Sequence, residues 1–156
     1  MIDFRIATAR QYIGKELFVS DWTVITQEMV TGFATATLDP DWMHVDVERS
    51  RRESPYGGTI VQGFLMQSLI IYFTHVAELQ PSDTAYGLNY GMDKVRFLAP
   101  VPTGSRVRDR ITLTDFQERS PGRYLHKSTH TIELEGSDKP AVVADWLVLW
   151  FKDLKH

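Results

Sequence analysis

Residues 60–79 constrain the fold most, because this stretch is long enough for about five helical turns and is apolar on every side. A helix without a polar face has to be enclosed by other elements. The stretch also reaches membrane-spanning length, but Gln62, Gln67, His75 and Glu78 interrupt it, and a spanning helix has few such groups. We therefore predict a central helix inside a globular protein.

The chain beyond residue 84 changes to a period of two, which is typical of strands. Residues 106–113, 125–134 and 141–151 alternate in this way, and residues 89–97 do so with a break at Asp93 and Lys94 that predicts a β-bulge. Turn sequences at 120–122 and 135–138 separate strands, and a short edge strand is predicted at 16–19. The order predicts an α+β fold, with a curved antiparallel sheet wrapped around the long central helix.

Length and composition limit the classes of function. The 156 residues predict a single domain spanning residues 1–156. A net charge of −3 without a Lys/Arg-rich run argues against a nucleic-acid partner. The absence of cysteine excludes disulfides and thiolate nucleophiles, and the first residues lack a secretory pattern. We expect a cytoplasmic protein that has no membrane partner.

Asp39 and His44 lie five positions apart in a segment that contains Pro40. Thr26 is expected to cap a helix that delivers the chain to Asp39. Because Pro40 disfavours helical dihedrals at Asp39, we expect the helix to end there and the segment to be a loop. A carboxylate and an imidazole can act on one water molecule from two sides, which is the minimum for general acid–base catalysis.

A turn rich in Pro and Gly, residues 54–58, opens into the central helix, which Thr59 is predicted to cap. Backbone N–H groups in the first turn of a helix have no partner within it, so they can polarise a carbonyl oxygen. An acid, a base and oxyanion donors are thus close together in the sequence.

These segments resemble the MaoC-like dehydratase family, close to its nodulation protein N-like branch, which includes the (R)-specific enoyl-CoA hydratases. The matching segments are YIG at 12–14, SDW at 20–22, ITQEM at 25–29, FATAT at 33–37, Asp39 with HVD at 44–46, PYGGTI at 55–60, GFL at 63–65, NYG at 89–91, and VRFLAPVP at 95–102 with Gly104. The resemblance implies a hot-dog fold and syn hydration of trans-2-enoyl-CoA or acyl-carrier thioesters to (R)-3-hydroxyacyl thioesters. It also implies a homodimer, which agrees with the tendency of a free sheet edge to pair, and higher oligomers built from dimers stay open.

Carried over residue by residue, the resemblance implies that Asp39 and His44 are the catalytic pair and that the backbone N–H of Gly63 faces the thioester oxygen. The further residues expected around the oxyanion and substrate are Gly58, Gln62, Asp41 and Phe64. The chain departs from the family pattern at Leu38, Asp41 and Gln62, where the family usually has Gly, Asn or Gln, and His. These departures bear on the identity of the substrate more than on the type of reaction.

Cationic side chains are candidates for contacts to the phosphates of coenzyme A. The candidates are Arg96, Lys94 and Arg52, the last in a cluster with Arg49 and Arg51. A solvated, charged edge without a ligand is the alternative. His126 and His130 lie on one face of a strand but lack a third ligand, so we predict no metal site and no cofactor apart from the coenzyme A of the substrate.

Two other functions stay open from the residues. One is a thioesterase, in which a carboxylate near a helix N-terminus directs water at the thioester carbon. The other is a non-catalytic module that binds acyl thioesters, with Asp39 and His44 in structural roles. Thiol release would distinguish the thioesterase from a hydratase, and binding without turnover would indicate the module.

Overall fold

The computed structural model describes residues 3–154. The helices are α1 (Ile6–Ala9), a 3-10 turn (Arg10–Tyr12), α2 (Gln27–Thr37), α3 (Trp42–Val45), α4 (Val47–Glu53) and α5 (Gly63–Val76). The strands are β1 (Glu16–Val19), β2 (Thr23–Val24), β3 (Tyr86–Phe97), β4 (Arg106–Ser120), β5 (Arg123–Leu134) and β6 (Val142–Phe151). All the helices precede the four long strands, as the change of period predicts.

One antiparallel sheet contains all the described strands in the order β1-β4-β5-β6-β3, with β2 also paired to β4. This arrangement, with α5 packed on the sheet, is the α+β hot-dog fold that the sequence predicts. The edge strand predicted at residues 16–19 is confirmed, and it pairs with β4. The predicted β-bulge is confirmed by a register shift between Asp93 and Arg96, where Lys94 has a φ of 51°.

The central helix is shorter than residues 60–79, because the chain before Gly63 pairs with another segment. Ile60 forms a β-bridge with Pro102, and the Val61 N–H donates to the Val101 carbonyl at 2.8 Å. These contacts hold residues 60 and 61 extended. The predicted cap by Thr59 is therefore wrong, and Gln62 occupies the N-cap position without a side-chain cap hydrogen bond.

The sheet covers one side of α5 rather than enclosing it, so the prediction of enclosure on every side is wrong. Met66, Ile70 and Phe73 are buried in the core with the inward residues of β4, β5 and β6. The opposite side of α5 leaves apolar side chains exposed, namely Phe64, Tyr72 and Val76. Strand β3 is the free edge nearest in sequence to this helix, and it also exposes Leu88 and Tyr90. This side of the molecule has an uncovered apolar surface beside the outer edge of a strand that pairs only with β6 in the described sheet.

Within residues 3–154, no helix combines the length and apolar character needed to cross a lipid bilayer.

Candidate active site

The end of α2 places Asp39. Thr26 caps the start of this helix, as predicted, by accepting a hydrogen bond from the Met29 N–H at 3.3 Å. At the other end Leu38 adopts a left-handed conformation with a φ of 58°, and the Asp39 N–H donates to the Ala34 carbonyl at 3.0 Å. The chain therefore leaves the helix at Asp39, whose side chain is half-buried.

His44 lies in the one-turn helix α3, so the prediction of a loop is right for Asp39 and wrong for His44. Asp41 starts this helix, because its carboxylate accepts a hydrogen bond from the Met43 N–H at 2.8 Å. Its backbone also links the two candidate catalytic residues. The Asp41 N–H donates to Asp39 Oδ1 at 3.3 Å, and the His44 N–H donates to the Asp41 carbonyl at 3.0 Å. The role of Asp41 in this geometry is to cap α3.

The His44 ring has a defined tautomer. Its Nδ1 lies 2.7 Å from the Ile60 carbonyl oxygen, which can only accept a hydrogen bond, so Nδ1 carries the proton. In the neutral ring Nε2 then has a free lone pair. No residue in the described range 3–154 hydrogen-bonds Nε2 or forms an ion pair with Asp39. Both groups are thus available to a ligand.

An extended segment, residues 59–61, is hydrogen-bonded on one side to α3 and on the other to the loop before β4. The Ile60 N–H donates to the Met43 carbonyl at 3.0 Å, and the Thr103 N–H donates to the Thr59 carbonyl at 2.9 Å. This segment carries the carbonyl that holds the His44 ring. Sequence reasoning missed the role of Ile60, because a backbone acceptor leaves no trace in the identity of its own side chain.

A side-chain bridge reaches the same helix from α2. Gln27 Nε2 donates to the His44 carbonyl at 2.8 Å, and Gln27 Oε1 accepts from the Thr59 hydroxyl at 2.6 Å. Sequence reasoning missed this bridge as well. The signal available was the position of both residues inside family-matching segments, ITQEM and PYGGTI.

Gly63 begins α5, where its N–H belongs to the helix's unpaired first turn. A cavity of about 180 Å³ is lined by Gly63, Phe97 and Val101, among others. A Cβ atom on Gly63 would lie 3.0 Å from the Phe97 ring, which is closer than side chains normally approach. The Phe64 and Phe97 rings meet edge to face with centroids 5.7 Å apart. Glycine therefore keeps the approach to this N–H open.

Gln62 and Gly58 lie beside these groups in different roles. Gln62 is buried, and its Nε2 donates to the Val30 carbonyl at 3.1 Å, which ties the start of α5 to α2. Its Oε1 is buried without a hydrogen-bond partner among the described residues. Gly58 is half-buried, and the positive φ of the turn, +72°, belongs to Gly57.

The arginines of α4 differ in how they are engaged. Arg49 pairs with Glu53 at 2.7 Å, and Arg51 pairs with Glu48 at 2.9 Å. Arg52 is exposed, and its ion pair to Glu53 is a loose 4.0 Å. Arg96 and Lys94 are also exposed, on the bulged part of β3. Arg52 is thus the arginine of this cluster that is most available to an anion.

His126 and His130 are core residues. The His130 Nδ1–H donates to Asp109 Oδ2 at 2.6 Å in a fully buried pair, and burial raises the pKa of the Asp109 carboxyl against the influence of His130. His126 accepts the Trp150 Nε1–H at 3.1 Å, and burial lowers its pKa to about 3. No group of three metal-ligating side chains occurs among residues 3–154.

The residues of the candidate site lie inside a segment that matches a known protein family. Residues 8–134 match the MaoC like domain. The chain belongs to the MaoC-like dehydratase family. Among its relatives, nodulation protein N of Rhizobium leguminosarum bv. viciae is 39% identical over 149 residues, which cover 96% of this chain and 92% of that protein. The 3-hydroxyacyl-thioester dehydratase Z of Mycobacterium tuberculosis is 42% identical over 135 residues, which cover 86% and 88%.

Solved structures of other proteins share the fold. The (R)-hydratase from A. caviae involved in PHA biosynthesis superposes with a TM-score of 0.69 at 21% identity, over 86% of this chain and 95% of that one. The monoamine oxidase regulatory protein from Archaeoglobus superposes with a TM-score of 0.72 at 20% identity, over 86% and 88%. At these identities the similarity supports the hot-dog fold.

Proposed function

We propose that this MaoC-like protein is a hydro-lyase that adds water reversibly to trans-2-enoyl thioesters, giving (R)-3-hydroxyacyl thioesters. The observation that carries the proposal is the Ile60 carbonyl on His44 Nδ1, because it leaves Nε2 as a proton acceptor in the neutral ring. The linked carboxylate of Asp39 supplies a second polar group for the same water molecule. The relative named as a 3-hydroxyacyl-thioester dehydratase supports this class of substrate.

In the proposed reaction, the substrate carbonyl oxygen accepts a hydrogen bond from the Gly63 N–H. Negative charge develops on that oxygen as an enolate forms, and the N-terminal end of α5 stabilises it. Asp39 and His44 Nε2 hold the water, whose oxygen bonds to the β-carbon while the pair takes up its proton. As the enolate collapses, the pair returns a proton to the α-carbon from the same face, so the π bond between the α- and β-carbons is replaced by a C–H and a C–O bond and both groups regain their starting state.

We also propose that the exposed apolar side of α5 and the free edge of β3 form a homodimer interface. The exposed side chains Phe64, Tyr72 and Leu88 supply apolar area, and the outer edge of β3 supplies a strand that a second copy of the sheet can pair with. Sedimentation velocity would test this, with a mass near twice that of the chain as the expected result and a monomer at micromolar concentration as the contrary one.

Arg52 is proposed to contact the phosphates of a coenzyme A thioester. Arg52→Ala is expected to raise KM about threefold to tenfold for a CoA substrate, more strongly at low salt, because screening weakens exposed charge contacts. The same substrate on a phosphate-free pantetheine analogue should show no change. Arg51→Ala is the matched control, since Glu48 already engages that side chain. An equal KM for the two variants would remove Arg52 from the site.

The central test follows enoyl-thioester absorbance with crotonyl-CoA and a longer trans-2-enoyl-CoA, while a thiol reagent reports hydrolysis. We expect absorbance loss without thiol release, and an (R)-3-hydroxyacyl product on chiral chromatography. Asp39→Asn and His44→Ala should each lower kcat at least 100-fold, whereas Asp138→Asn in the exposed β5–β6 turn should not. Thiol release would indicate a thioesterase, binding without turnover would indicate a binding module, and activity that survives both substitutions would refute the site.

A further inference from the structure

The side chains of Gln27 and Thr59 form a hydrogen-bonded bridge to the backbone of the candidate catalytic histidine, His44. The bridge bonds other protein groups and offers none of its own to a substrate. Every polar atom of the Gln27 side chain is engaged: Oε1 accepts from Thr59, and Nε2 donates to His44 and, at 3.2 Å, to the Thr31 hydroxyl. Thr59 is 7% exposed and Gln27 is half-buried, so the donor end of this short hydrogen bond is shielded from water. A saturated and shielded contact of this kind fixes geometry.

The bridge and the ring contact act on the same histidine from adjacent positions. Thr59 holds the His44 carbonyl through Gln27, and the next residue, Ile60, holds the His44 ring through its own carbonyl. The ring can keep its hydrogen bond to the Ile60 carbonyl only when the His44 backbone stays fixed relative to residues 59–60. Displacement of a reacting group by about 1 Å can lower the rate about 100-fold.

We propose that Gln27 and Thr59 are positioning residues that hold His44 with Nδ1 on the Ile60 carbonyl and Nε2 toward the reacting water. The inference rests on the proposed function, which gives His44 its role. It adds two residues that act through His44 and do not contact the reacting atoms. Their effect is therefore expected in kcat and in the tautomer of the ring, with little change in substrate affinity.

The chain offers closely matched substitutions at both positions. Thr59→Val keeps the branched shape and removes the hydroxyl, whereas Thr59→Ser keeps the hydroxyl and removes the methyl group. Gln27→Glu keeps the size but replaces the donor with an acceptor that faces the His44 carbonyl. Gln11→Glu makes the same charge change at an exposed position of the 3-10 turn and serves as the control.

The first measurement is steady-state hydration of a trans-2-enoyl-CoA by the full chain. Thr59→Val and Gln27→Glu are expected to lower kcat about 10-fold to 100-fold with KM within about twofold of the original. Thr59→Ser and Gln11→Glu should retain most of kcat. Circular dichroism at the assay temperature verifies that each variant is folded, and Gln27→Glu carries the test should Thr59→Val fail to fold.

The second measurement is independent of turnover. Long-range ¹H–¹⁵N spectra of the imidazoles report the tautomer, and His44 is expected to be the Nδ1–H form in the original chain and in Thr59→Ser. Thr59→Val should add a population with the proton on Nε2. If the original chain turned over no enoyl thioester while these spectra changed as expected, the proposed function would fail and the positioning role would stand.

Three results would overturn the inference. One is an unchanged kcat together with unchanged His44 signals in Thr59→Val and Gln27→Glu. Another is an equal loss in Thr59→Ser and Thr59→Val, which would assign the effect to packing of the methyl group. The third is a loss confined to KM.

Discussion

Replacing His126 with glutamine is expected to remove a large part of the loss of stability that acid causes. His126 accepts a hydrogen bond from Trp150 and packs against the Phe4 and Phe116 rings. Burial, and after it the charge of His130, lowers the pKa of His126 to about 3. A glutamine side chain keeps an acceptor for the Trp150 N–H but does not titrate between pH 3 and 8.

The magnitude follows from the two pKa values. In the unfolded chain the His126 pKa returns to 6.5, so the unfolded state binds the proton first as the pH falls. The contribution of the neutral buried ring to stability is complete above pH 6.5 and is lost progressively as the pH falls toward 3. Each pH unit in that window lowers the free energy of unfolding by about 1.4 kcal/mol, so the loss at pH 5 is about 2 kcal/mol.

Urea denaturation at one fixed protein concentration, followed by far-ultraviolet circular dichroism at pH 7.5, 6.5, 5.5 and 5.0, measures this effect. The original chain should lose about 2 kcal/mol more than His126→Gln between pH 7.5 and 5.0. The buried Asp109–His130 pair is present in both proteins and largely cancels in the difference. His75→Gln, at an exposed position of α5, should follow the original chain. Parallel pH curves for the original chain and His126→Gln would refute the reasoning.

Two further substitutions test backbone geometry. Leu38→Gly is expected to raise the free energy of unfolding by about 0.5 to 1 kcal/mol, because Leu38 holds a left-handed φ of 58° with an exposed side chain. Denaturant midpoints measure this change in stability. A Leu38→Gly variant no more stable than Leu38→Ala would contradict the prediction. Gly87→Ala is expected to lower the free energy of unfolding by about 2 kcal/mol or more, because its Cβ would lie 2.2 Å from the Trp150 ring. Gly91→Ala, which has open space on the same strand, is the control, and equal thermal midpoints for these two alanine variants would contradict the second prediction.

The sequence predicts most of the fold because its dominant signals are local periodicities. The four long strands, the β1 edge, the bulge near Lys94 and the cap at Thr26 all follow from patterns within a few residues. The start of α5 was mispredicted because residues 60 and 61 have the same apolar character whether they are helical or paired with Val101. Periodicity does not report that distant pairing.

The sequence predicts which residues form the candidate site, but it does not predict the local backbone structure and hydrogen bonds that position them. The spacing of Asp39 and His44 predicts an acid–base pair, the family resemblance assigns the pair and Gly63 their roles, and the structure adds the local positions that they occupy. The short helix under His44 was missed because Asp41 starts it directly after a proline, in only one turn. The Ile60 carbonyl was missed because any residue provides a carbonyl, so the side chain carries no signal.

The hydrogen bond from the Ile60 N–H to the Met43 carbonyl closes the chain between α3 and the extended segment, with α4 and the glycine turn inside the closed loop. The ends of this excursion are joined through backbone groups, and α4 inside it packs on α3, because the Ser50 hydroxyl donates to the Trp42 carbonyl at 3.0 Å and Ser50 is fully buried. During evolution the exposed charged residues of this excursion can therefore change while Ser50 stays in place and His44 keeps its carbonyl partner. Replacing the exposed Glu48, Arg51 and Arg52 with serine should leave the His44 tautomer unchanged, and a changed tautomer would count against this separation of recognition from chemistry.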